Sequence, residues 1–111
     1  MRKYQLIVVN LDPTVGSEIN KTRPCLIISP DEMNNALKTI VVVPLTSTLK
    51  TNIPTRVKIK ACAKSGLKND SYAALDQIKT IDKSRAVTVI GEISDAEKHT
   101  VTATLLEMFD Y

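Results

Sequence analysis

The run Thr39-Ile40-Val41-Val42-Val43-Pro44-Leu45 limits the fold of this chain more than any other stretch. Ile40 to Val43 are all β-branched, a side-chain shape that packs on a pleated sheet better than on a helix. Because the run is apolar at successive positions, it reads as a strand buried on both faces, hence a central one. Pro44 cannot donate to a ladder and is expected to set the strand's end, after which Thr46-Ser47-Thr48 emerges from the core.

The remaining elements are arranged around that strand. Tyr4 to Leu11 is a first strand, supported by Ile7, Val8 and Val9, and Cys25 to Ser29 a second. Pro30 to Asn35 breaks the second strand and forms one helical turn, with Ser29 or Asp31 as its cap. Thr55 to Lys60 alternates, placing Arg56, Lys58 and Lys60 on one face of a strand and Val57 and Ile59 on the other. Those cations could track phosphates, but by themselves they read better as a solvated strand whose lysines discourage edge pairing. Ser65 to Ser71 is a turn cluster, and Tyr72 to Ile81 reads as a strand carrying Asp76 and Gln77, which must hold a neighbouring loop or line a site.

Val87 to Ile90 is β-like until Gly91 interrupts it. Ser94 and Glu97 then form a capping box, so a helix is expected from about Asp95 to Phe109, with Val101, Leu105 and Met108 on one stripe. Short strands followed by a terminal helix define the fold class as mainly β with a C-terminal α-helix: a small antiparallel, barrel-like sheet forming one domain over 1–111.

Function is expected in the polar stretch Leu11 to Pro30. Asp12-Pro13-Thr14 and Gly16 stop the first apolar run, and Ser17, Glu18, Asn20, Lys21, Thr22 and Arg23 follow. Pro24 biases Arg23 toward extended backbone, so a cation stands at the root of a strand beside a polar loop. For an arbitrary Arg-Pro, a surface or salt-bridged arginine would be the better reading.

Composition excludes several chemistries. The single histidine, His99, falls on the polar side of the terminal helix, so neither a His–His pair nor a Ser-His-Asp relay can form within one chain. With three glycines there is no phosphate-cradling loop, and no Cys/His or carboxylate cluster offers a metal site. An enzyme of this composition is expected to need no metal and no cofactor. Cys25 and Cys62 read as free thiols. No apolar run spans a membrane, and the segment Leu6 to Val9 behind Met1-Arg2-Lys3 is too short for a signal-peptide core, so the protein is expected to be cytoplasmic. The net charge of +3 tolerates a polyanionic partner without identifying one.

The pieces LDPTVGSE, TRPCLIISP, VVVPLTS, LDQIKTIDKSR and IGEIS, in that order ahead of a terminal helix, resemble the MazF/PemK family of toxins from type II toxin–antitoxin pairs. The resemblance runs from about Leu6 to the C-terminus. It implies an SH3-like barrel that forms a homodimer and cuts single-stranded RNA at short motifs without metal. Attack by the 2′-hydroxyl would leave a 2′,3′-cyclic phosphate and a 5′-hydroxyl. It also implies a cognate antitoxin with an acidic disordered tail, operator DNA being reached only through the antitoxin complex, and no membrane partner.

Carried over residue by residue, the resemblance assigns the catalytic roles to Arg23 and Thr46. Both can donate to the pentavalent dianion, although a guanidinium stays protonated and is a poor proton carrier. Ser17, Glu18, Lys21, Ser47 and Gln77 fall on substrate-binding positions, Gln77 on a strand facing the same groove. Asp76 is either structural or accessory, and Glu18 is the candidate general base. Two departures stand out. The family's Arg-Gly-acidic-Ile opening is replaced by Tyr4-Gln5-Leu6, and an arginine that some plasmid-borne relatives carry two residues before the aspartate is here Ala74. The alternative reading is a non-enzymatic, CcdB-like toxin that binds DNA gyrase. That group ends in Trp-Gly-Ile, whereas this chain ends Met108-Phe109-Asp110-Tyr111. A third reading, a relative that only binds antitoxin, is disfavoured by the presence of both Arg23 and Thr46.

Overall fold

The computed structural model describes residues 1–10, 22–47 and 53–110. In chain order these form β1 (Gln5–Asn10), β2 (Thr22–Ile27), a short helix α1 (Asp31–Ala36), β3 (Thr39–Thr46), β4 (Arg56–Ile59), β5 (Ser71–Ala74), β6 (Lys79–Asp82), β7 (Ala86–Glu92) and the terminal helix α2 (Asp95–Phe109). The strands make one 7-stranded sheet in the order β4-β5-β3-β2-β1-β7, with β6 added beside β3. All pairings are antiparallel. The fold is therefore mainly antiparallel β with one C-terminal helix, as expected, and its ladder is open, since β4 and β7 do not pair.

The apolar run is the middle of this arrangement. One edge of β3 pairs with β2, while the other pairs with β6 over Thr39 to Val42 and with β5 at Leu45 and Thr46. The strand does not end at Pro44. Val41 sends its carbonyl to Ile28 on the β2 side, so by alternation the Pro44 nitrogen faces the other edge. There it falls in the gap between the β6 and β5 pairings, where no donor is needed.

Alternation along β1, β2 and β3 divides the interior in two. Leu6, Leu26, Val43 and Leu45 join one cluster with Val57, Ile59, Leu75, Ile93 and Val101. Ile7, Val9, Cys25, Ile27, Ile40 and Val42 join the other with Ile81. Both faces are thus buried, which accounts for the uninterrupted apolar character of these strands.

The first cluster is closed by α2 and by the turn between β4 and β5. Glu92 of β7 donates its amide to the Lys64 carbonyl at 3.0 Å, so the turn reaches across the sheet to the far strand. The helix contributes Val101, fully buried, with Leu105 and Met108 packed beside it. Its start is the expected capping box: the Ser94 hydroxyl accepts from the Glu97 amide at 3.2 Å and Glu97 Oε1 accepts from the Ser94 amide at 2.9 Å. The other carboxylate oxygen of Glu97 accepts from the Lys60 amide at 2.8 Å, tying the helix to the end of β4. Tyr4, held at φ 71, hydrogen-bonds through its hydroxyl to Thr102 of the same helix.

Three local readings change. The expected side-chain cap of α1 is absent: Pro30 is the N-cap residue, the Ser29 hydroxyl bonds Asn34 and the Val41 amide, and Asp31 accepts from the Lys3 amide. Tyr72 to Ile81 is not one strand. It breaks into β5 and β6 around the turn at Leu75 to Ile78, because β3 takes two different partners along one edge. Gly91 lies inside β7, at a register shift against β1 between Leu6 and Ile7, so it interrupts the ladder without ending the strand.

Because Glu97 serves both the cap and β4 while Ser94 serves the cap alone, Glu97→Ala is expected to destabilise the fold more than Ser94→Ala. The serine variant should lose about 1 kcal/mol, a typical cap contribution. Equal midpoints for the two variants in urea unfolding would contradict this role for Glu97.

Candidate active site

Antiparallel register, more than sequence proximity, brings the leading candidates together. Cys25 of β2 faces Pro44 of β3. Extending that register by two residues sets Arg23 across from Thr46, on the same face of the sheet. On its other side Arg23 pairs with Val9. Pro24 fits within β2 because extended backbone suits its fixed φ, and it pairs with Val8.

Arg23, Thr46 and Ser47 line one cleft of about 510 Å³, together with the apolar side chains of Val8, Pro24, Leu45 and Ile90. A further part of the lining comes from the turn before β5: Gly66, Leu67, Lys68 and Asn69. The volume is within the ordinary range for a ligand cleft, and the mixture of an apolar surface with a few polar groups is usual for one. Among the described lining residues there is no carboxylate, imidazole or thiol, and Arg23 is exposed with no ion-pair partner among the described residues. Cys25, next in line on β2, is buried, and burial pushes its thiol up to about 11 despite the nearby Arg23 and Lys79 cations. It is a neutral core group. Among the described residues no cluster of His, Cys, Asp and Glu has the composition to hold a metal ion.

The other sequence candidates are distributed differently. Ser17, Glu18 and Lys21 lie outside the described residues. Gln77 is not on a strand: it sits exposed in the turn between β5 and β6, its amide donating to the Ala74 carbonyl, and it does not line this cleft. Asp76, in the same turn, is held by β4. Arg56 reaches it through Nε at 2.8 Å and a terminal nitrogen at 3.1 Å, and the Thr55 hydroxyl donates to it at 3.0 Å. The Arg56 guanidinium keeps the Asp76 carboxyl well below the usual carboxylate range, at about 2. Of the two alternatives for Asp76, this geometry serves the structural one.

The basic row on β4 follows the same logic. Arg56 is committed to Asp76, Lys58 lies 3.6 Å from Asp70, and the strand is at the sheet's edge. Ala74 stands directly across from Arg56, so the guanidinium in this neighbourhood comes from β4 and is neutralised by Asp76. His99 is exposed on α2 and does not line the cleft. The sequence reading missed Lys68 and Asn69, which it placed in a turn without a role. Nothing local to that turn signals which distant strands it faces.

The family model for the PemK-like, MazF-like toxin of type II toxin-antitoxin system matches residues 2–109. The chain belongs to that family. Among curated relatives, Endoribonuclease MazF9 of Mycobacterium tuberculosis is 36% identical over 102 residues, covering 87% of this chain and 86% of the relative. Endoribonuclease EndoA of Bacillus subtilis is 35% identical over 96 residues, covering 86% and 82%. The fold superimposes on a solved endoribonuclease in complex with its cognate antitoxin from Mycobacterial species with a TM-score of 0.79 at 24% identity, over 96% of this chain and 92% of that one. These matches leave the CcdB-like, gyrase-binding alternative without support.

The Asp76–Arg56 pair should be visible in acid. Its carboxyl moves from 3.8 to about 2 on folding, so its contribution is present above about pH 4 and is lost as pH falls through about 2. With Asp76 more than a third exposed, that contribution is at most about 1 kcal/mol. Asp76→Asn is expected to lower the thermal midpoint at neutral pH, with the gap to wild type closing toward pH 2. A gap that stays constant across that window would show that the ion pair contributes nothing.

Proposed function

We propose that this protein is the toxin of a type II toxin–antitoxin pair and acts as a metal-independent endoribonuclease on single-stranded RNA, with Arg23 and Thr46 as its catalytic residues. The observation that carries the reading is Arg23: an exposed arginine that lines a cleft, in register across from Thr46, with no carboxylate partner among the described residues. An uncompensated planar cation is suited to phosphate oxygens, which it engages through two parallel donors. The names of the curated relatives support the same activity.

The reaction is a transfer within the RNA. The 2′-oxygen loses its proton and bonds to phosphorus, and the bond to the 5′-oxygen breaks as that oxygen takes up a proton from solvent, leaving a 2′,3′-cyclic phosphate and a 5′-hydroxyl. Negative charge grows on the non-bridging oxygens between these events, and donors fixed on strands stabilise it without first having to reorganise. Arg23 and the Thr46 hydroxyl are those donors, each on a strand end held by cross-strand pairing. Ser47 lines the same cleft and binds substrate. By the family resemblance Ser17, Glu18, Lys21 and Gln77 also contact RNA, with Glu18 the candidate base for the 2′-hydroxyl. The protein works as a homodimer in the cytoplasm; no helix among the described residues is long and apolar enough to cross a membrane.

Its regulating partner is an antitoxin with an acidic tail that is disordered when free. Such a tail loses conformational entropy on binding, so apolar burial must combine with pairing to exposed cations. Tail and RNA should then compete for the cleft. Adding a synthetic tail peptide to a fluorescent, 2′-deoxy-blocked RNA is expected to displace the RNA; a ternary complex at saturation contradicts a shared surface.

Purified protein is expected to cut a long defined RNA in excess EDTA, and to leave uncut a substrate with 2′-deoxyribose at the scissile nucleotide. Loss of cleavage in EDTA with recovery in Mg²⁺ would falsify the mechanism. Arg23→Ala should slow cleavage by roughly two to three decades, the scale of losing one preorganised donor. Arg23→Lys should recover little of it, since a point charge does not replace a planar fork. Near-normal turnover of the folded alanine variant would move the catalytic role elsewhere.

A further inference from the structure

The cleft that holds Arg23 is also lined by a part of the chain that the proposed chemistry does not use. This is the end of the turn joining β4 to β5, which contributes Lys68 and Asn69. Lys68 is exposed and, among the described residues, has no ion-pair partner. In this it resembles Arg23. Lys58 and Lys98 differ, since each lies against a carboxylate.

The turn is held in place by backbone packed on backbone. Gly66 adopts φ +70, and a Cβ there would stand 2.0 Å from the Ile90 carbonyl oxygen of β7. Reciprocally, a Cβ on Gly91 would stand 2.3 Å from the Lys64 carbonyl oxygen and 2.4 Å from that of Ser65. Only two residues without side chains allow the turn and β7 to approach this closely. Hydrogen bonds complete the seat. The Glu92 amide donates to Lys64, the Gly66 amide donates to the Cys62 carbonyl, and the buried Ser65 hydroxyl accepts from the Cys62 and Leu67 amides. The Asp70 carboxylate caps the other end by accepting from the Ala61 amide at 2.8 Å.

A flexible surface lysine would contribute little to orienting a ligand. A lysine whose backbone is anchored and that lines the same cleft as the unpaired Arg23 adds a second cation to that cleft. Single-stranded RNA carries one phosphate per nucleotide, so a strand in this cleft offers a separate phosphate to each of two unpaired cations. We propose that Lys68 is a substrate-positioning residue, binding a phosphate that flanks the scissile one, and that the Gly66/Gly91 contact is the device that fixes it there. This rests on the endoribonuclease reading above.

Because Lys68 acts on a phosphate that does not react, its effect belongs in binding and not in the chemical step. After mapping the cut sites on a long defined RNA, a fluorescent oligoribonucleotide spanning one site, blocked by 2′-deoxyribose at the scissile nucleotide, serves as the binding probe. The unblocked oligonucleotide serves for kinetics. Lys68→Ala is expected to raise KM severalfold with kcat within twofold of wild type. It should also lower the slope of log affinity against log salt by about 0.7, the share of one phosphate on a single strand. Lys68→Arg should restore both. Gly91→Ala, which pushes the arm off β7 without touching any charge, should raise KM in the same direction. Lys38→Ala, exposed and outside the cleft, should change neither quantity.

An unchanged KM and salt slope in Lys68→Ala, or a fall in kcat with KM unchanged, overturns the positioning role while leaving the endoribonuclease reading intact. Wild-type protein that neither cuts nor binds RNA overturns that reading and this inference with it.

Discussion

The cleft that Arg23 and Thr46 line depends on β3 having partners on both edges and cores on both faces. Its β2 edge is continuous, while its other edge passes from β6 to β5 with Pro44 at the changeover. Its side chains alternate between the cluster closed by α2 and the one that contains Cys25 and Ile27. A strand confined on four sides has little freedom to slip, because a shift of one residue would exchange every core side chain. That confinement sets the position of Thr46 and, through the β2 register, of Arg23 across from it.

The sheet is open by its ladder, yet the interior is closed. The turn before β5 bridges to β7 through the Glu92–Lys64 hydrogen bond and the reciprocal glycine packing, where a further strand pairing would otherwise be needed. The same turn lines the cleft. One backbone thus serves both places: its buried side seals the first core with Leu67, and its exposed side carries Lys68 into the cleft lining.

Charge is partitioned along similar lines. Asp76 neutralises Arg56, Asp70 lies against Lys58, and Glu92 and Asp95 flank Lys98. Acids are therefore spent where they fasten strand ends and the helix start, and among the described residues they are absent from the cleft lining. A net charge of +3 is too small to indicate a polyanion ligand, but the cleft lining holds Arg23 and Lys68 with no carboxylate beside them among the described residues.

The sequence by itself determined what depends on neighbours in the chain. The terminal helix from Asp95 to Phe109 is legible because a capping box joins residues three apart, and the central strand because β-branched side chains constrain their own backbone. The ordered motifs around Arg23 and Thr46 identified the family for the same reason: they are local strings. Tertiary structure alone decided what depends on residues far apart. The division of Tyr72 to Ile81 into two strands reflects the two partners offered by β3, and the continuation of β3 through Pro44 reflects a gap on one edge only. The binding of Asp76 by Arg56 needs a cross-strand neighbour. So does the place of Lys68 in the cleft lining, which follows from two glycines at positions 66 and 91 whose complementarity no local pattern records, since it exists only when β7 and the turn are pressed together.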